Sequence, residues 1–258
     1  MIAHYNNSNI FYEVYGKGKP IVLLHGFLES SSMWDTLLPL LTQKNKVVCI
    51  DLPGHGKSDA IAEVHTMELM AEVVYSILDS LEVKQARFIG HSMGGYVSLA
   101  FSELYPGIIT SLVLLNSTTE SDSEERKKNR DRAIRLIKKD ANLFITLAIH
   151  NLFNENTKHL YAHEIKELKE EAYLFPVDGI IATIRGMRDR KDRTNVLQNF
   201  NGLKYFVYGN EDNMIPEKVS IQVAKNTNSE LHSINSGHMS VYENREEMIK
   251  LLHFIEFL

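Results

Sequence analysis

Gly90-His91-Ser92-Met93-Gly94 lies between an apolar run and a helical pattern, and that placement constrains the fold more than any other segment. Ala86-Arg87-Phe88-Ile89 reads as the end of a short buried strand, with Gly90 as its stop. From Met93 onward, Tyr96, Val97, Ala100, Phe101 and Leu104 recur at helical spacing until Pro106-Gly107 ends the helix. A G-x-S-x-G segment in that setting describes a nucleophile elbow, a strand-to-helix turn tight enough to push one hydroxyl into a pocket. Such a turn strains the serine backbone. Gly90, Gly94 and Gly95 are small enough to let the strand and helix backbones approach. The following helix aims its N-terminal amides at the serine, which favours negative charge there.

A serine hydroxyl is a poor nucleophile without a base, and the base needs an orienting acid. With an elbow of this kind the chain order is Ser, then Asp or Glu, then His. Lys204-Tyr205-Phe206-Val207-Tyr208 reads as a strand that runs into Gly209 through Pro216. Asp212 in that loop is the expected acid, with Glu211 the rival. Leu231-His232-Ser233-Ile234 reads as the last short strand, and Gly237-His238-Met239 follows it. His238, one of eleven histidines, is therefore the expected base. His25, His55 and His91 also lie at strand ends or turns, but their positions do not fit the base. His25, Gly26 and His91 are expected to line the substrate pocket.

Acyl transfer also needs two N–H donors aimed at the developing oxyanion. One is the amide of Met93, the residue after the nucleophile. Pro20-Ile21-Val22-Leu23-Leu24 is a continuous apolar run, as expected of a parallel strand buried on both faces, and it ends in His25-Gly26-Phe27. The amide of Phe27 is the expected second donor, and its side chain a pocket wall.

Together these segments resemble the α/β-hydrolase superfamily, of the compact serine esterase and hydrolase type with a helical cap. The resemblance rests on Leu24-His25-Gly26-Phe27, Asp51 through Ser58, Gly90 through Gly95, Gly209 through Pro216, and Ser236-Gly237-His238. They stand in the family's order and cover nearly the whole chain outside residues 120–190. The resemblance implies a Ser-His-Asp triad, an acyl-enzyme and a pocket at the strand ends. It does not imply a substrate, because the superfamily includes esterases, lactonases, thioesterases, C–C bond hydrolases and lyases. Dehalogenase and epoxide hydrolase readings are disfavoured, since those relatives carry Asp where this chain has Ser92. A non-catalytic binding protein on the same fold is the remaining alternative.

Strands alternate with helices along the chain, the pattern of a mostly parallel, doubly wound α/β sheet. Residues 10–15 and 47–51 read as strands, and Trp34 to Leu41 opens the first helix. A helix spans about 67–81, another strand 110–115, and a last helix begins at Asn244 with Glu247 in a capping-box spacing. Its buried face is Met248, Leu251, Leu252, Ile255 and Leu258.

Strand patterns vanish between about residues 120 and 190. There Ile134, Ile137, Ala141, Ile145, Ala148 and Leu152 keep helical spacing, as do Tyr161 to Phe175 and Val177 to Met187. We therefore expect a core of residues 1–119 and 191–258, with a helical lid of 120–190 over the strand ends. His159 and His163 share a helix face, but a solvated face is the simpler reading. Arg185 through Arg193 reads as a hydrated helix end.

A chain of 258 residues can bury one large core. Its net charge of −5 presents no basic surface for nucleic acid. No run approaches the roughly 20 apolar residues of a membrane span, and the N-terminus lacks the apolar stretch of a signal peptide. The single cysteine, Cys49, reads as a buried small hydrophobe. We expect a cytoplasmic protein acting on a small-molecule acyl substrate, with no cofactor or metal and no nucleic-acid or membrane partner. Oligomeric state stays open.

Overall fold

The computed structural model describes residues 1–255 and 257. Among these, eight strands form one sheet: β1 (Ile2–Tyr5), β2 (Ser8–Tyr15), β3 (Lys19–Leu24), β4 (Asn45–Ile50), β5 (Ala86–His91), β6 (Ile109–Leu115), β7 (Leu203–Gly209) and β8 (Glu230–Ile234). Their spatial order is β1-β2-β4-β3-β5-β6-β7-β8. From β4 to β8 every neighbouring pair is parallel, while β1 and β2 add an antiparallel edge. The helices are α1 (Leu38–Leu41), α2 (Met67–Ser80), α3 (Met93–Leu104), α4 (Glu124–Lys139), α5 (Ala141–His150), α6 (Ala162–Ala172), α7 (Val177–Arg188), α8 (Thr194–Gln198), α9 (Glu217–Thr227), α10 (Ser240–Glu243) and α11 (Arg245–Phe254).

Successive strand residues point to opposite faces, and both faces are covered. Val22, Leu24, Val48, Ile50, Phe88, Leu112 and Leu114 pack in one core with Met70, Val74 and Ile77 of α2 and Val97 and Phe101 of α3. Ile21, Leu23, Val47, Cys49, Ile89, Val113 and Leu115 pack in a second with Trp34, Leu37, Leu41, Leu251 and Leu252. This two-sided burial explains why the central strands read as unbroken apolar runs. The parallel pairing puts the carboxyl ends of β3, β5, β6, β7 and β8 at one rim, where open parallel sheets bind ligands.

Several elements differ from the sequence expectation. β5 does not stop at Gly90, because Gly90 and His91 continue the ladder opposite Leu114 and Leu115. The first helix is broken into a 3₁₀ turn at Ser31–Trp34 and α1, with Pro39 in the first turn of α1, where its missing N–H is tolerated. β1 was hidden in a polar terminus. Asn6 and Asn7, both at positive φ (48° and 65°), turn it into β2. α9 was also missed. The charged pattern expected as one helix divides at Asp140, which leaves helical geometry and caps α5 by accepting from the Leu143 amide. Leu258 lies outside the described residues.

Arg185 through Arg193 is a hydrated helix end only in part, with Asp189, Lys191 and Asp192 exposed. Arg190 and Arg193 are buried, Arg190 on Asp122 at 2.6 Å and Arg193 on Glu68 and Glu103 at 2.7 and 2.9 Å. The sequence shows charge but not its partners, which come from elements far away in the chain. His159 and His163 are exposed, and His163 faces Glu167 at 3.3 Å. No helix among the described residues is long and apolar enough to cross a membrane.

Close backbone contact between α3 and the sheet is built on Gly94, where an added Cβ would sit 2.2 Å from the Leu24 carbonyl oxygen. Gly94→Ala should cost about 1–3 kcal/mol through overpacking, or roughly 2–4 °C of Tm per kcal/mol for a chain of this size. Scanning calorimetry checks it, and an unchanged Tm would show that the helix can move away freely.

Candidate active site

Ser92 sits between the end of β5 and the start of α3 with φ 49° and ψ −111°. A non-glycine residue in such a region carries about 1–3 kcal/mol of strain that its surroundings must hold. Here the Ser92 amide donates to Leu115 O at 2.9 Å, and Ser117 Oγ donates to Ser92 O at 2.8 Å. The side chain is left half-buried at the floor of a cavity.

The loops after β7 and β8 bring the other two groups to it. His238 Nε2 lies 2.9 Å from Ser92 Oγ, and His238 Nδ1 lies 2.7 Å from Asp212 Oδ2. Both the ring and the carboxylate are buried. Asp212 Oδ2 also accepts from Asn116 Nδ2 at 2.9 Å, while Oδ1 accepts from the amides of Met214 and Ile215 at 2.7 and 3.0 Å. Burial pushes the Asp212 carboxyl up, but the His238 ring and these hydrogen bonds outweigh it and hold the group below the usual carboxylate value. Glu211 is exposed, and its amide donates to Ser236 O, in the loop after β8, at 3.0 Å. The imidazole therefore meets Asp212 and not its neighbour.

Met93 opens α3, so its amide belongs to the first turn and has no intrahelical acceptor. Phe27 lies in the loop after β3 and lines the cavity. The cavity encloses about 470 Å³. Phe27, Leu28, Glu29, Ser92, Tyr96, Asn213, Met214, Ile215 and His238 line it from α3 and the loops after the strands. Arg126, Asn129, Arg130, Ala133, Phe144, Ala148, Asn151, Leu152, Ile184 and Met187 line it from α4, α5, α7 and the turn after α5. The site is thus mostly apolar, with a few convergent polar groups.

His25, Gly26 and His91 do not line this cavity; they are packed behind it. His25 Nε2 accepts from the Leu52 amide at 2.8 Å, and its Nδ1 lies 2.7 Å from Gly26 O. His91 is wedged between Glu29 and the His238 backbone, at 2.9 Å from each. Gly26 is needed for space rather than for a special turn, since a Cβ there would meet both Glu29 carboxylate oxygens and His91 Nδ1 at 2.8 Å. Their strand-end positions were read correctly, but strand-end residues also point inward. Glu29, Asn116, Arg126 and Arg130 were not anticipated. Asn116 alone left a trace, standing just past β6 at the same rim.

A serine on a strand-to-helix turn, joined to an imidazole and a carboxylate from later strand ends, is the arrangement that defines α/β-hydrolase sites. The family described as "alpha/beta hydrolase fold" matches residues 19–245, and the chain belongs to that family. It is 28% identical over 273 residues to the uncharacterized hydrolase YugF of Bacillus subtilis, covering 97% of this chain and 94% of that one. It is 26% identical over 269 residues to a 2-hydroxy-6-oxononadienedioate/2-hydroxy-6-oxononatrienedioate hydrolase of Pseudomonas putida, covering 97% and 92%. Among solved structures, a thermophilic esterase from Thermogutta terrifontis superposes with a TM-score of 0.90 at 28% identity, covering 96% and 92%. An enol-lactonase from Burkholderia xenovorans shares the fold, with a TM-score of 0.91 at 19% identity over 100% and 99% of the two chains.

Asp212 contributes stability that is present above the usual carboxylate value, near pH 4, and is lost as pH falls through its lowered one. The stability gap between the parent and Asp212→Asn should therefore be widest above about pH 4 and close below it. Urea unfolding across pH 2–7 measures the gap, and a gap that stays constant would refute the assignment.

Proposed function

We propose that this protein is a serine hydrolase that cleaves a small carboxylic ester or related acyl compound through an acyl-enzyme. The observation that carries this reading is the unbroken hydrogen-bond chain from Ser92 Oγ through the His238 ring to Asp212. Ser92 Oγ attacks the substrate carbonyl while His238 Nε2 takes the hydroxyl proton. Asp212 fixes the imidazole tautomer and balances the imidazolium that forms. The amides of Phe27 and Met93 hold the oxyanion, each worth on the order of 3 kcal/mol. His238 then gives its proton to the leaving alcohol. Water enters, loses a proton to His238, attacks the acyl group and releases the acid. The helices of residues 120–190 act as the lid that shapes the acyl pocket, and the chemistry draws on no group beyond these side chains and amides.

A second reading, C–C bond hydrolysis of a carboxylate-bearing compound, is favoured by one feature of the cavity wall. Arg126 and Arg130 stand one turn apart on α4 and both line the cavity. Arg130 shares buried Asp122 with Arg190, and Arg126 donates to the Met214 carbonyl. Arg126 thus meets a neutral carbonyl and Arg130 shares its one carboxylate with Arg190, which leaves positive charge at the wall for a substrate anion. The Pseudomonas putida relative is named for a dioate substrate. In that reading Ser92 and His238 serve chiefly to activate water and move protons.

Ser92→Ala should abolish hydrolysis of short aryl esters and labelling by a fluorophosphonate probe while the protein stays folded. Asp212→Asn should lower kcat on the order of 10⁴-fold, whereas Glu211→Gln should change it little. A panel of esters, lactones, thioesters and vinylogous diketones separates the two readings by relative kcat/KM. A folded wild type that is neither labelled nor active on any of them would leave only a binding role.

A further inference from the structure

Glu29 is a carboxylate with 1% exposure that the acyl-transfer steps leave unused. Its Oε2 accepts from the Gly26 amide at 2.6 Å and lies 2.9 Å from His91 Nδ1. On the other side of the same ring, His91 Nε2 lies 2.9 Å from the backbone carbonyl oxygen of His238. A carbonyl oxygen can only accept, so Nε2 carries a hydrogen. Nδ1 faces a carboxyl group, so the bond on that side also contains one. The pair therefore holds two hydrogens across two bonds and is neutral as a whole.

The attraction between the two partners favours the ionic form. Burial pushes the His91 ring down, but the Glu29 carboxylate outweighs it and raises it above its ordinary value. Burial pushes Glu29 up, but His91 and the Gly26 amide outweigh it and lower it. The other groups facing the pair are Asp212 and the His238 ring on the His91 side, and His25 and Tyr242 on the Glu29 side.

Resting on the triad reading above, we propose that Glu29 and doubly protonated His91 are positioning residues that lock three loops into catalytic register. One contact fixes Gly26, the residue before the Phe27 amide. The ring itself belongs to the residue before Ser92. The third contact fixes the backbone of His238. Removal of the extra proton leaves a lone pair on Nδ1 facing the carboxylate, or one on Nε2 facing the carbonyl, and either repels. The register is thus held between the lowered Glu29 value and the raised His91 value and released as pH rises through the latter.

The experiment uses the full chain and two readouts. Long-range ¹H–¹⁵N spectra of Ser92→Ala report the protonation of His91 without any turnover. Two protonated ring nitrogens at neutral pH are expected, and a single neutral tautomer would overturn the proposal. The second readout is fluorophosphonate labelling and aryl-ester turnover of Glu29→Gln against wild type. The amide can replace the acceptor but not the negative charge. We expect a kcat loss of roughly tenfold to a hundredfold, the size of a small misplacement of catalytic groups. KM should change far less, and the alkaline limb of the pH profile should move to lower pH. Glu29→Asp should restore part of the pH profile. Glu29→Gln with unchanged kcat and an unmoved alkaline limb sinks the positioning role. A wild type that is never labelled instead sinks the triad reading, and the spectra still decide whether His91 is doubly protonated.

Discussion

Ser92 holds a backbone of φ 49° and ψ −111°, which a residue with a side chain keeps only under restraint. The restraint comes from the whole centre of the sheet. β5 lies between β3 and β6, and both neighbours take part. Leu115 at the end of β6 accepts from the Ser92 amide, and the Leu24 carbonyl at the end of β3 touches the position where Gly94 has no Cβ. Gly90 is likewise pressed against Gly94 and Gly95. A bulkier residue at either glycine would push α3 off the sheet and relax the turn. The apolar strands, the glycines and the half-buried hydroxyl are therefore one mechanical unit.

Much of this was legible in the chain because the signals are local. A strand buried on both faces must be apolar throughout, a helix must repeat every three to four residues, and a tight turn between them needs small neighbours. β3, β5, β6 and β7 and helices α2 and α3 follow from those rules. The order of Ser92, Asp212 and His238 could be read because each stands just beyond a strand. What could not be read were partners distant in sequence. The burial of Arg190 depends on Asp122 and that of Arg193 on Glu68 and Glu103, and none of these pairs has a periodic signature. The same holds for Glu29, whose meaning appears only once His91 is placed against it. His25 and His91 were expected on the pocket wall, but a residue ending a central strand has two faces to choose from, and both turn away from the cavity.

The buried polar groups at the rim share one design. Each carboxylate is engaged on both oxygens or by more than one donor, so none is left as a naked charge in an apolar setting. Asp212 is held by a ring, a side-chain amide and two backbone amides. Asp122 is held by two arginines. Asp51 is held by the amides of Ser31 and Lys57. Fixed dipoles of this kind need not reorganise when charge moves, which is the condition for effective electrostatic stabilisation of a reacting group.

The ends of the helical segment between β6 and β7 meet each other. The Arg193 amide donates to Thr119 O at 2.8 Å, the hydroxyls of Thr119 and Thr194 lie 2.8 Å apart, and Arg190 reaches back to the Glu120 carbonyl at 3.0 Å. Chain leaving the sheet is thus stapled to chain returning to it. A closed loop of this sort adds only about 0.6 kcal/mol of closure entropy for each doubling of its length. Length between the two fixed ends is thus a small term, and what orders the segment is its share of the interior, where Ile145, Ile149, Ile180 and Ile184 join one cluster with Val22 and Leu24 of the strands below.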